Sequence, residues 1–228
     1  MKIIFLNAWH GQIPKIKDFI LENISTTDIF CFQESYNSDS KIFCLNWLKD
    51  YNYFFDDKWI DKKDQFINST FVKKNISILE TKTIGKNEIG IGIGLFTKIK
   101  IKSKIINLCN VHGFPWPGDK QDNPDRINQS KLIIDFFKDL SGPKIIGGDF
   151  NLDKDIKSTR AFEENNFRSL IKEFNITNTR NRLSWEKYNN KQYFADHLFV
   201  SSDIKIANFS VPYNEVSDHL PLVLEIKI

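Results

Sequence analysis

Cysteine is scarce. The 228 residues carry three, Cys31, Cys44 and Cys109, an odd number without the spacing of a metal-binding cluster. Two of them lie inside the apolar runs DIFCF and IINLCNV. Reduced, buried thiols are therefore expected, not a disulfide framework. An excess of one charge is lacking too, since 32 basic residues stand against 29 acidic ones, a net charge of +3. That balance carries no signature of a nucleic-acid-binding stripe and leaves room only for a local basic patch. No apolar run is long enough to span a bilayer. The opening MKIIFL is too short for the apolar core of a secretion signal, and Asn7 interrupts it. The expectation is a cytoplasmic monomer without a membrane partner. Repeats, low-complexity tracts and linkers are also absent, so residues 1–228 read as one domain.

What is present is core material. Hydrophobic residues make up 41% of the chain, and 20 Phe point to aromatic packing. Buried strands are expected at Met1–Leu6, at DIFCFQE and at KIIGGDF. From Tyr51 to Asn110 the pattern is a series of β segments punctuated by Gly, Asn and Asp. KIKIKSK, with its alternating lysines, reads as an exposed edge strand. IGIGIG lacks the strand–helix setting of a nucleotide cradle and reads as a bulge or an edge. Apolar spacing and Pro14 predict a helix at Pro14–Glu22, and another is expected over Ser38–Leu48. The clearest helix covers Asn123–Leu140, and one or two short ones are expected in Ser158–Phe174. QYFADHLFVS, IKIANFSV and LPLVLEI close the chain as strands. Strands with helices between them predict an α+β fold, two mixed sheets packed face to face with helices outside.

The polar residues gather where apolar runs stop. Asn7 follows KIIFL, Glu34 follows DIFCFQ, and His112 follows IINLCNV. Asp149 and Asn151 follow KIIGG, Asp196 interrupts QYFADHLFV, and Asp218 with His219 precedes LPLVLEI. Burying such groups unpartnered costs a few kcal/mol each, so they converge on one another, meet a cation and water, or face solvent separately. Asp149 and Asn151 sit two apart and can share a face while Phe150 turns to the core. Gly147 and Gly148 allow something to come close to the backbone there. Asp218 and His219 are adjacent, so both reach one place only from a loop, and Pro221 fits one. The donors are Glu, Asp and Asn oxygens, a set that suits Mg²⁺ or Mn²⁺ better than Zn²⁺.

In their order, Asn7, FQE ending at Glu34, NVHG with His112, GGDFN, the Asp196 strand and the terminal SDH resemble the endonuclease/exonuclease/phosphatase superfamily. The resemblance runs from Asn7 to the last strand. It implies a four-layer αββα sandwich and hydrolysis of a phosphoester by an activated water with a divalent cation. By position it makes Glu34 the principal metal ligand with Asn7 beside it, and puts Asp218 at the metal or its water shell. Asp149 would orient or deprotonate the water, and Asn151 would donate to the phosphate. Asp196 would fix the imidazole of His219 on the phosphate, and His112 would lie near the leaving group. The chain departs from the pattern at Trp9, where members often carry Asn or Asp, and at His197, where Tyr is common. Trp9, His10, Trp116 and Arg126 are the candidates for substrate contact; Arg126 alternatively pairs with Asp122 or Asp125. The expected reaction is that of a phosphodiesterase or nuclease. A sugar- or lipid-phosphate phosphatase and a binding module that kept the fold without catalysis are the alternatives.

Overall fold

The structure, a computed structural model, describes residues 1–36, 44–59, 65–186 and 191–228, without the side chains of residues 59, 65 and 66. Twelve strands form two six-stranded sheets. The first contains β1 (Lys2–Asn7), β2 (Ile29–Gln33), β3 (Tyr51–Trp59), β4 (Gln65–Lys73), β11 (Ile206–Ser210) and β12 (Leu222–Ile226) in the order β11-β12-β1-β2-β4-β3. The second contains β5 (Ser77–Ile84), β6 (Ile93–Ile101), β7 (Lys104–His112), β8 (Lys144–Asp149), β9 (Phe167–Ser169) and β10 (Asp196–Ser201) in the order β5-β6-β7-β8-β10-β9. Each sheet holds one parallel pair at its centre, β1 with β2 and β7 with β8. The helices are α1 (Ile16–Asn23), α2 (Pro124–Lys138), α3 (Lys157–Glu164) and α4 (Leu170–Glu173). None of the described helices is long and apolar enough to cross a membrane.

Period-two alternation sorts the apolar side chains into layers. In β1, Ile3 and Phe5 face the second sheet, where they join Ile29, Cys31, Leu108, Ile145 and Leu198. Ile4 and Leu6 face outward and pack with Phe30, Phe32 and the α1 residues Ile16 and Ile20. On the far side, Phe96, Ile146 and Phe199 meet Ile133 and Phe137 of α2 and Phe162 of α3. The result is the four-layer αββα sandwich. Phe96, Phe137, Phe150, Phe162, Phe167 and Phe199 gather in this outer layer, where Phe162 stacks on Phe199 at 4.2 Å. The three cysteines are free and buried.

Several local expectations need correction. KIKIKSK is not an edge, because β6 is paired on both sides, with β5 and β7. Its lysines alternate because that face of the strand meets solvent, where Lys98 pairs with Glu80. IGIGIG is neither bulge nor edge: Gly90 turns at φ 71°, and a Cβ on Gly92 would lie 2.0 Å from the His112 carbonyl oxygen. The glycine run thus lets the chain pass against the end of β7. Ser158–Phe174 yields two helices with the short strand β9 between them, and a left-handed Asn166 precedes the strand. Most of the helix expected over Ser38–Leu48 lies outside the described residues; the part from Cys44 is turn. What approaches Gly147 and Gly148 is protein on both sides: Cβ atoms there would meet Leu198 at 2.4 Å and the Val111 carbonyl at 2.3 Å in the same sheet, and Phe5 at 3.0 Å and Gln33 at 2.8 Å in the opposite one.

His197 is buried in this framework. Its Nε2 lies 2.9 Å from the Leu152 carbonyl, its ring stacks on Phe199 at 5.8 Å, and Phe150 meets it edge-on. Burial pulls its pKa down to about 4. The unfolded chain takes up this proton near the ordinary value of about 6.5, so it binds more protons than the folded chain between there and about 4. Stability therefore falls as pH drops through that window, by about 3 kcal/mol at most. Replacing His197 by Phe removes this acid sensitivity. Urea melts of both proteins at several pH values in the window check it: the wild-type chain should lose ground to His197→Phe as pH falls. A pH-independent difference would contradict a neutral buried imidazole.

Candidate active site

Strand register brings the polar residues together. Asn7 ends β1 opposite Gln33 of β2, and His112 ends β7 opposite Asp149 of β8. Asp196, at the start of antiparallel β10, lies directly opposite Asp149. The carboxyl ends of both parallel pairs thus open at the same end of the sandwich. Ligand sites in open α/β sheets lie at the corresponding strand ends.

The two sheets meet there through one amide. Asn7 Nδ2 donates to Glu34 Oε1 at 3.0 Å and to Asp149 Oδ2 at 2.9 Å, while Asn7 Oδ1 accepts the Trp9 N–H at 3.0 Å. Asn7, expected as a metal ligand, therefore presents its NH₂ to the carboxylates and holds them. Asp149 Oδ1 accepts the Asn151 N–H at 2.8 Å, which fixes the second oxygen. Asn151 Nδ2 donates to the Gly113 carbonyl at 2.8 Å, and its Oδ1 accepts from Lys120.

His219 stands on the other side of Asp149. Its Nδ1 is 2.9 Å from Asp196 Oδ2, and its Nε2 is 3.8 Å from Asp149 Oδ2 and 4.0 Å from Asp218 Oδ2. Burial works against its charge, but Asp196, Asp218 and Asp149 outweigh burial and raise its pKa to about 9. Burial pushes Asp196 up against the pull of this imidazole. For Asp149, burial is outweighed by His219, His112 and Lys120, which hold it below the ordinary carboxylate range. His112 Nε2 lies 3.7 Å from Glu34 Oε1 and 3.9 Å from Asp149 Oδ2, and burial lowers its pKa.

The Asp218–His219 loop is held by groups that strand-end reasoning missed. Ser217 Oγ donates to the Asn7 carbonyl at 2.6 Å, Asn181 Nδ2 donates to the Ser217 carbonyl at 2.7 Å, and the Leu220 N–H donates to Thr179 O at 2.8 Å. Thr179 Oγ1 also accepts the Asp196 N–H at 3.1 Å. Arg180 lies beside this loop, with Nη2 3.7 Å from Asp218 Oδ2. Lys120 and Arg180 went unread because 32 basic residues dilute any one of them, yet only five are arginines. A rare guanidinium in a lysine-rich chain was the available signal.

The remaining candidates divide. His10 Nε2 lies 3.0 Å from Glu34 Oε2 and its ring meets Tyr36 at 4.5 Å, so it belongs to the Glu34 side of the site. Trp9 is partly buried, and Trp116 is 52% exposed. Arg126 is not placed to hold substrate, nor is its partner Asp122 or Asp125. Fully buried, it donates to Asp119 Oδ1 at 2.7 Å, to the Gln121 carbonyl at 2.5 Å and to the Pro115 and Pro117 carbonyls. It pins the segment between β7 and α2 from behind. Trp9, His10, Glu34, Lys120 and Asn151 all have left-handed backbones, so strain gathers at this site, as it does at functional centres generally.

Among the described residues, two groups could hold a cation, Glu34–His112–Asp149 and Asp149–Asp196–His219. The second is closed by the hydrogen bond between Asp196 and His219. In the first, burial raises the pKa of Glu34 despite His112 and Asn7. A carboxylate so placed is short of positive charge, which fits a divalent cation.

A family model described as the Endonuclease/Exonuclease/phosphatase family matches residues 5–219. No curated protein matches the chain. Among solved structures, an endonuclease/exonuclease/phosphatase from Bacteroides vulgatus superposes with a TM-score of 0.76 at 17% identity, covering 100% of this chain and 98% of that one. The human Nocturnin catalytic domain with bound sulfate gives 0.72 at 17% identity, with 100% and 94% coverage. A mannosyl-6-phosphatase from Bacteroides thetaiotaomicron gives 0.72 at 15%, with 100% of each chain covered. At these identities the likeness is one of fold.

Truncating Arg126 should leave buried carbonyls without donors. Arg126→Met is expected to lower stability by roughly 2–3 kcal/mol, or about 5–10 °C in Tm. Thermal melts check this, and an unchanged Tm would return Arg126 to the substrate contacts.

Proposed function

Because the chain belongs to the endonuclease/exonuclease/phosphatase family, we propose that it is a metal-dependent phosphoester hydrolase that cleaves a phosphodiester, in the manner of a nuclease, by attack of an activated water. The observation that carries this reading is the Asn7 amide shared by Glu34 and Asp149, with His219 at 3.8 Å from the same Asp149 oxygen.

Each residue has a part that its surroundings allow. Asp149 is ionised and held at both oxygens. A carboxylate held that low is a weak base, so it orients the water by accepting a hydrogen bond from it. His219, charged and fixed through Nδ1 by Asp196, offers Nε2–H to the phosphate oxygens as negative charge grows on them. Asn151 has spent one amide N–H on Gly113 and keeps the other for a phosphate oxygen. His112, kept neutral by burial, is assigned to the leaving-group side as a hydrogen-bond donor. Glu34, with Asp218 towards the water shell, would hold a divalent cation, which supplies Lewis-acid polarisation of the phosphoryl group. Oxygen donors favour Mg²⁺ or Mn²⁺ there.

A panel of phosphodiesters, nucleic acids and phosphomonoesters, run with Mg²⁺, Mn²⁺ and EDTA, tests the proposal. Turnover of diesters should require the cation and fall by about 10²–10⁴ in kcat in Asp149→Ala. Faster turnover of monoesters would replace it with the sugar- or lipid-phosphate phosphatase reading. No turnover with any cation, in a protein that still binds phosphate, would leave the non-catalytic binding module.

A further inference from the structure

The site carries two cations, Lys120 and Arg180, to which the reaction described above gives no contact with substrate. Lys120, in the segment between β7 and α2, is only 8% exposed. Its ammonium donates to Asn151 Oδ1. Its backbone is left-handed at φ 61°, a strained conformation for a non-glycine residue. Burial lowers its pKa to about 8, with Asp149 pulling the other way and Arg180 adding to the fall. A single amide oxygen can be satisfied by any N–H, hydroxyl or water. A buried lysine in a strained backbone is a costly way to do it.

Arg180 faces the same place. Its backbone bridges to His219, which puts it beside the imidazole. Nη1 donates to Gln192 Oε1 at 3.2 Å, and Nη2 lies 3.7 Å from Asp218 Oδ2. Nε is buried with no hydrogen-bond partner among the described residues. Gln192 in turn donates to the Gly118 carbonyl, which ties the Arg180 segment to the Lys120 segment. Lys120 and Arg180 are thus tied together through Gln192 and Gly118, and among the described residues each keeps side-chain donors unspent. Two like charges held together in this way are stabilised when an anion sits between them.

We propose that Lys120 and Arg180 form a second anion subsite beside the hydrolytic centre, which takes a second ionised phosphate of the same substrate. The inference builds on the phosphoester hydrolysis proposed above. The phosphate under attack is met by the cation side, Asn151 and His219, while the donors of Lys120 and Arg180 lie beyond Asn151 and Asp218. The surplus donors call for oxygens of a further group. Two sources share that chemistry: the neighbouring diester of a nucleic-acid strand and the second phosphorus of a pyrophosphate.

The test compares methylphosphonate with methylenediphosphonate, non-hydrolysable probes with one and two phosphorus centres. Calorimetric binding is measured on the full chain with Mg²⁺ and again in EDTA, which separates chelation by the probe. The wild-type chain should bind the two-phosphorus probe tighter by about tenfold or more. Lys120→Met and Arg180→Met should each cut that ratio by about threefold or more, and Arg180→Lys should restore part of it. Thermal melts verify folding; if Lys120→Met does not fold, Lys120→Gln and Arg180→Met carry the comparison. A kinetic arm identifies the source. It uses the p-nitrophenyl ester of a nucleoside monophosphate with and without a phosphate on the second hydroxyl, and the same ester of a nucleoside diphosphate. The pair with the larger gain in kcat/KM names strand or pyrophosphate. Equal affinity for the two probes, or a ratio unchanged in folded variants, overturns the subsite. A wild-type chain that cleaves one-phosphate esters without that preference keeps the hydrolase and loses the subsite. Preferential binding without cleavage by any cation keeps the subsite and removes the hydrolase.

Discussion

The site exists only while two sheets hold one spacing and one register, and the contact that measures both is the Asn7 amide between Glu34 and Asp149. Packed sheets lie about 10 Å apart, too far for short carboxylates to meet unaided. A seam of amides beneath the site closes the gap. Gln33 Nε2 donates to Asn110 Oδ1 at 2.5 Å, and Asn110 Nδ2 donates to the Phe32 and Ser69 carbonyls at 3.1 and 3.0 Å. Asn68 Nδ2 reaches the Asn110 carbonyl at 3.3 Å. A slip of one residue in β2 or β7 would turn these amides to the opposite face. It would leave buried polar groups without partners, at 1–3 kcal/mol each. The seam therefore selects against the wrong register as well as stabilising the right one. Glycine completes it: any side chain at Gly148, φ 129°, would collide with Gln33 and with the Val111 carbonyl.

Which parts of this were legible in the sequence follows from the same physics. Strand ends were readable because long apolar runs stop at Asn7, Glu34, His112 and Asp149, and burial makes a polar residue at such a stop conspicuous. The face-to-face sheets were readable because period-two alternation in KIIFLN and IFCFQ needs apolar neighbours on both sides. The seam was not readable. Gln33, Asn68 and Asn110 stand in separate strands without a shared pattern, and only the tertiary structure brings them to face one another across the two sheets. The alternating lysines of β6 failed the opposite way, since exposure of one face was mistaken for exposure of an edge. Arg126 was misread because local sequence shows nearby acids and no carbonyls. The groups it bonds come from a segment folded back over the start of α2.

Arg126 and Arg180 show why position along the chain says little about the use of a cation. Both are rare guanidiniums in a lysine-rich protein, and both lie near acidic side chains. Arg126 spends both of its Nη groups on carbonyls and Asp119 and leaves only Nε without a partner among the described residues, buried where no ligand reaches. Among the described residues, Arg180 makes one side-chain hydrogen bond, to Gln192, and keeps a longer approach to Asp218. The deciding quantity is how many donors are already satisfied, because a buried cation with donors to spare has uncompensated desolvation.

The adjacency of Asp218 and His219 has its reason in this balance of charge. A regular strand would send the two side chains to opposite faces, so the chain leaves its sheet before β12 and hangs the pair on Ser217, Thr179 and Asn181. The gain is electrostatic. Asp196 holds Nδ1 of the imidazole, while Asp218 and Asp149 face Nε2 at 4.0 and 3.8 Å. Asp196 orients the ring, and together with Asp218 and Asp149 it overcomes burial, so that the ring carries its charge. The loop is thus the structural cost of a charged, buried imidazole, and the hydrogen bonds from Asn181 and Ser217 offset it.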